Sequence, residues 1–133
     1  MRLTKLIYAS NHGGLNSGVL EDILLSSRQN NARDGITGML VVSNDNFMQI
    51  LEGDRTAVAE CFMRIMQDDR HQKILVMLSC EIASRQFPSW SMKCIKTSRL
   101  EQAIKLSYFF DGTFYPTRMS QKAIEGFLQT LAD

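Results

Sequence analysis

Hydrophobic and polar positions alternate between two periods along the chain, and the changes of period mark its elements. Leu3 to Ala9 reads as a strand, and Asn11-His12-Gly13-Gly14 breaks it with residues that tolerate turn dihedrals. Leu20, Ile23 and Leu24 then recur at helical spacing, so a helix is predicted with Ser17 as its cap and Asp34-Gly35 as its stop. Ile36 to Val42 and Phe47 to Leu51 are β-rich runs around the turn residues Ser43-Asn44-Asp45-Asn46, which is the pattern of a hairpin. After Gly53, Val58, Cys61, Phe62, Ile65 and Met66 fall three and four apart, predicting a second amphipathic helix that ends before His71. Ile74 to Cys80 is an apolar run of strand length, and Met92 to Ile95 supplies a short last strand beyond the bend at Pro88.

The resulting order, βαββαββ, predicts an α+β fold of ferredoxin-like type, with the first and third strands central and both helices on one face of a mixed sheet. Two further apolar stripes, Leu100-Ala103-Ile104 and Ile124-Phe127-Leu128-Leu131, flank a break at Gly112 and Pro116. A helical hairpin capping the opposite face is the simplest use for them. The expected division is a core over residues 1–97 and capping helices over 98–133, all in one domain. With no long linker, repeat or low-complexity tract, no independent effector domain is expected, and any output leaves through a surface.

Composition narrows the function classes. Of 133 residues, 15 are basic and 14 acidic, a net charge of +1 that provides no field for gathering phosphates, so nucleic acid is not an expected partner. No membrane-length apolar run and no signal-peptide pattern occur, and cytoplasmic location is expected. Cys61, Cys80 and Cys94 are odd in number and sit in apolar stretches, so they read as reduced, partly buried core thiols. Only two histidines are present, with neither a Gly-rich dinucleotide fingerprint nor a Cys/His cluster suited to metal.

Several polar residues fall where a core is expected. Gln49 shares a face with Phe47 and Leu51, and a buried amide without partners costs about 1–3 kcal/mol. Tyr8, beside Leu6 and Ile7, poses the same question with its hydroxyl, and the two residues are placed to meet across neighbouring strands. On the first helix Ile23, Ser27, Asn30 and Asn31 project within a narrow arc. On the second, Arg64 and Asp68 are read as one turn apart beside Ile65, with His71 following. Together they outline an apolar slot with a polar rim, suited to a flat heteroaromatic ligand. The plainer readings are a helix-end cap for asparagine, a solvated surface pair for Arg64 and Asp68, and a backbone partner for tyrosine.

Five segments, Leu6-Ile7-Tyr8-Ala9-Ser10, Asn30 to Gly38, Phe47 to Gly53, Asp68-Asp69-Arg70-His71 and Phe87 to Met92, resemble in order and spacing the signature of the BLUF family, blue-light sensors using FAD. The likeness runs from Leu3 to about Ile95, and the remaining helices are similar to the cap of short, single-domain members. It implies a non-covalent FAD, with FMN or riboflavin able to substitute, lying between the two helices. Ile23 and Ile65 would pack on its ring faces, and Asn31 would bond the pyrimidine edge. Arg64, Asp68 and His71 would line the rim or phosphate side, while Ser27 and Asn30 complete the cofactor set. Tyr8 and Gln49 match the photoactive pair, and Trp90 with Met92 matches the signal-transmitting segment.

The implied function is a photoreceptor, not an enzyme, that assembles as a homo-oligomer and acts on a downstream protein partner. Two alternatives stand beside it: a flavin-dependent oxidoreductase, and a flavin-free ferredoxin-like interaction module.

Overall fold

The computed structural model describes residues 2–132. Its elements are β1 (Leu3–Asn11), α1 (Ser17–Asp34), β2 (Thr37–Val42), β3 (Asn46–Asp54), α2 (Arg55–Met66), β4 (Gln72–Glu81), β5 (Lys93–Lys96), α3 (Gln102–Tyr108) and α4 (Gln121–Leu131). The strands form one sheet in the order β4-β1-β3-β2-β5, antiparallel except for the parallel pair β2 and β5. This is the expected ferredoxin-like order, with β3 at the centre and β1 beside it.

Strand alternation sorts the core into two layers. Leu6, Tyr8, Leu40, Phe47 and Leu51 face one way and are covered by Leu20, Ile23 and Leu24 of α1 and by Val58 and Cys61 of α2. Ile7, Met39, Val41, Met48 and Ile50 face the other way and pack with Phe87, Phe114, Ile124, Phe127 and Leu128. The C-terminal hairpin is therefore the cap of the second face, and α4 supplies most of its buried side chains.

Helix α1 starts one residue earlier in its capping than expected. Asn16, not Ser17, is the N-cap, its side-chain oxygen accepting from the Val19 N–H, while Ser17 is the first helical residue. Both residue types cap well, and the one in extended conformation takes the role. The stop is as read: Gly35 adopts φ 69° and donates its N–H to Asn31 O. Gly38 is needed for a different reason, because a Cβ there would overlap the carbonyl oxygen of Ile50.

Two expectations need correction. The apolar run in β4 forms the predicted strand, at the edge that central first and third strands leave to it, but Leu75 and Val76 are 48% and 45% exposed and Cys80 is exposed, not a partly buried core thiol. Register shifts on either side of Tyr8–Ala9 interrupt its pairing with β1, and only Ile74, Met77 and Leu78 of its apolar side chains pack, partly buried, against the two layers. In α2 the helix ends at Met66, so Asp68 lies beyond it; Arg64 pairs with Asp34 at 3.1 Å, and Asp68 pairs with Arg70 at 2.6 Å. The Asp68 carboxylate also accepts the Arg70 backbone N–H at 2.9 Å, a local turn that competes with a further helical turn.

One buried charge on the second face was not anticipated. Glu52, 1% exposed, accepts the backbone N–H groups of Gln86 at 2.9 Å and Phe87 at 2.8 Å. The guanidinium of Arg85 next to it donates to Gly35 O, Thr37 Oγ1 and Glu52 O. These bonds fasten the long β4–β5 connection to the sheet.

Candidate functional site

The polar residues singled out in the sequence converge. Between α1 and α2 lies a cleft of about 130 Å³ lined by Ile23, Ser27, Asn30 and Asn31 from α1, Arg64 and Ile65 from α2, Asp68 and His71 from the following turn, and Gln49 on its floor. Larger hollows exist, among them one of about 490 Å³ at the β2–β3 turn, but it is built mainly of turn and loop residues. Volume therefore does not select the site. The convergence of apolar walls with an ordered set of donors and acceptors does.

On the floor, Tyr8 and Gln49 are direct cross-strand partners in the β1–β3 register. Tyr8, fully buried, donates its hydroxyl proton to Gln49 Oε1. Gln49 Nε2 in turn donates to Met92 Sδ at 3.3 Å. A thioether is a weak acceptor, and an amide nitrogen carries two hydrogens, so the donor end of this buried side chain is only partly satisfied. Trp90 lies on the other side of the sheet, stacked on Phe87 at 6.0 Å between centroids and covered by Lys93 Nζ at 4.0 Å. Met92 is thus the member of that pair beside Gln49.

Asn31 is 1% exposed and committed to the protein on both ends: Nδ2 donates to Ser91 O at 2.7 Å, and Oδ1 lies 3.8 Å from the Cys61 thiol. Its amide retains one N–H and one lone pair for a ligand. Ser26, Leu40, Cys61 and Arg70 also line the cleft and were not among the residues assigned to it. Cys61 stands one turn before Ile65 on the same stripe, and Leu40 is the cross-strand partner of Gln49, so alternation and helical spacing already carried those two. Arg70 lies within the family-like Asp68-Asp69-Arg70-His71 segment, but no period assigns its side chain to the cleft, where the turn after α2 folds it back.

Burial and partners set the charge states around the cleft. Desolvation raises the Tyr8 phenol well above its ordinary pKa, with the nearby Cys61 and Asp68 adding to it, so the proton stays on the oxygen. Burial likewise raises the Cys61 thiol. The Arg70 hydrogen bonds hold the Asp68 carboxyl below its usual range. Burial lowers His71, which favours the neutral imidazole that meets Ser10 Oγ at 3.2 Å. The site thus has a neutral floor and a charged outer rim.

The fold is an α+β domain with a buried Tyr–Gln pair under a two-helix cleft, a site of the kind that takes a small flat ligand. The sequence profile of the family described as sensors of blue light using FAD, BLUF, matches residues 3–93, and the chain belongs to that family. It is 30% identical over 111 residues to the blue light- and temperature-regulated antirepressor BluF of Escherichia coli (strain K12), covering 82% of this chain and 27% of that one. It is 35% identical over 74 residues to the photoactivated adenylate cyclase subunit beta of Euglena gracilis, of which it spans 9%. The photo-activated state of BlsA superposes with a TM-score of 0.86 at 30% identity, covering 97% of this chain and 94% of that one.

The cofactor that defines the family is FAD. The cleft fits such a group: a flat ring with polar edges meets isoleucines on two walls, an incompletely satisfied amide donor on the floor, and basic residues at the mouth. Among the described residues no helix is long and apolar enough to cross a membrane, and no group of His, Cys, Asp and Glu is arranged to hold a metal.

Proposed function

We propose that this chain senses blue light by rearranging the hydrogen bonds of Tyr8 and Gln49 beside a bound flavin, and that it passes the change to a separate protein partner. Ile23 and Ile65 would hold the ring faces and Asn31 its pyrimidine edge. Ser27 and Asn30 would line the α1 side, with Arg64, Asp68 and His71 toward the rim and phosphates. When bound, the flavin supplies a blue-absorbing ring whose excited state accepts an electron and whose polar edge accepts hydrogen bonds.

The chain's own residues do the rest. Tyr8 is the electron donor, and its hydroxyl proton already lies on the bond to Gln49 Oε1. Gln49 can carry that proton onward because it joins an acceptor end to a donor end within one planar group. Electron and proton both return to Tyr8, so no net oxidation of the protein results. Gln49 is left turned over, tautomerised or both. Turned over, it offers Nε2 to the Tyr8 oxygen and Oε1 to the Met92 sulfur, which has no proton to give. The contact with the start of β5 is then lost, while a changed hydrogen bond to the ligand shifts its absorption.

The observation that carries this reading is the buried Tyr8–Gln49–Met92 chain of hydrogen bonds on the cleft floor. The test is the visible spectrum of the FAD-loaded protein in darkness, after a blue pulse and during recovery. A small reversible red shift without loss of oxidised-flavin absorbance is expected; lasting bleaching, or steady NAD(P)H oxidation in the dark, would instead support redox catalysis.

Met92 would be the exit of the signal. Met92→Ala removes the sulfur but leaves Tyr8 and Gln49 in place, so it should keep the photoproduct and weaken the response of the C-terminal helices. Unchanged light-induced protease sensitivity of residues 98–132 in that variant would count against this route. Assembly into homo-oligomers and an effector partner belong to the same proposal; the partner is supported by relatives described as a photoactivated adenylate cyclase subunit and a blue light- and temperature-regulated antirepressor.

A further inference from the structure

Three consecutive carbonyl groups at the entry to β5 are each held by a separate donor. Trp90 O accepts from the Gly38 N–H at 3.0 Å, Ser91 O from Asn31 Nδ2 at 2.7 Å, and Met92 O from Arg28 Nε at 2.9 Å. The first donor is on β2 and the other two are on α1, three residues apart, where i and i+3 share a face. Helix α1 also lines the cleft through Ser27 and Asn30, so one rigid element touches both the ligand site and the switching segment. Arg28 itself does not line the cleft.

Met92 is therefore gripped at two points, at its sulfur by Gln49 and at its carbonyl by Arg28. These grips differ in kind. An amide-to-thioether bond is weak and reverses when Gln49 turns over, whereas a guanidinium on a carbonyl is charge-assisted and independent of the amide's orientation. We propose that Arg28 is a positioning residue for the photocycle: it keeps Met92 in register while Gln49 is in its light-induced arrangement, so that the sulfur is present when the amide returns. The inference rests on the Gln49 switch described above and extends it to a residue outside the cofactor site.

Without the Arg28 bond, the β5 entry relaxes away after illumination and must be recaptured before Gln49 can revert. Reversion therefore slows, by about tenfold for the loss of one charge-assisted hydrogen bond. The dark spectrum stays the same, because Arg28 touches neither Gln49 nor the cleft.

The experiment compares the full chain loaded with FAD as wild type, Arg28→Ala, Arg28→Lys and Asn16→Ala. Dark absorption, the size of the light-induced shift, the dark-recovery rate and the thermal midpoint are measured for each. Asn16→Ala removes the α1 cap and weakens the helix without touching the Met92 carbonyl, so it reports what mere loss of stability does. Expected are unchanged dark spectra and shifts, recovery about tenfold slower in Arg28→Ala, a rate closer to wild type in Arg28→Lys, and wild-type recovery in Asn16→Ala. Wild-type recovery in Arg28→Ala, or equal slowing in Asn16→Ala, overturns the role of Arg28 and leaves the photoreceptor reading intact. A wild-type protein with no reversible shift overturns both.

Discussion

A Gln49→Leu protein is expected to load FAD and to show no red-shifted photoproduct after blue light. Leucine keeps the apolar volume on the β3 floor, between Phe47 and Leu51, so the cleft persists. It removes both ends of the side chain that joins Tyr8 to Met92. The Tyr8 proton then has no acceptor, and no amide remains to turn over. The same change leaves a phenol hydroxyl at 0% exposure without its partner, which costs about 1–3 kcal/mol of folding stability. Light-minus-dark absorption and a denaturant titration on one preparation measure the two effects together. A normal reversible shift in this variant would remove Gln49 from the mechanism.

The second large effect is expected far from the cleft, at Glu52. Glu52→Leu should lower folding stability by about 3 kcal/mol, because the N–H groups of Gln86 and Phe87 lose the acceptor they share and no water reaches a position 1% exposed. Glu52→Gln should fall between, since the amide keeps one acceptor oxygen and presents a donor where the other was. Urea unfolding of the three proteins gives the order directly. Equal midpoints for wild type and Glu52→Leu would mean that the β4–β5 connection is held by Phe87 packing and the Arg85 bonds alone.

Glu52 also shows how sequence pattern differs from structure. The sequence pattern assigns Glu52 no role beyond its place in the Phe47 to Gly53 segment. In the fold it is a buried anchor, because the β4–β5 connection folds back over it and supplies two backbone donors. Those donors lie more than thirty residues away in sequence, and backbone N–H groups leave no mark on composition or period. Arg64 gives the opposite case. Its spacing pointed to Asp68 on the same helix, yet the helix stops and Asp34, at the end of α1, becomes its partner. A local rule was applied where a tertiary neighbour won.

What the sequence by itself determined was whatever depends on neighbours along the chain. Period two placed Tyr8 and Gln49 on one face of their strands, period 3.6 placed Ile23, Ser27, Asn30 and Asn31 on one side of α1, and the βαββαββ order fixed the sheet. Five segments in register were enough to indicate the family whose profile matches residues 3–93. Only the tertiary structure decided which side chain of the Trp90–Met92 segment meets Gln49, that Arg28 and Asn31 hold its carbonyls, and that Glu52 is buried. The reason is geometric: side-chain periodicity is a property of one element, whereas a hydrogen bond to a distant backbone depends on the path of a connection that no period describes.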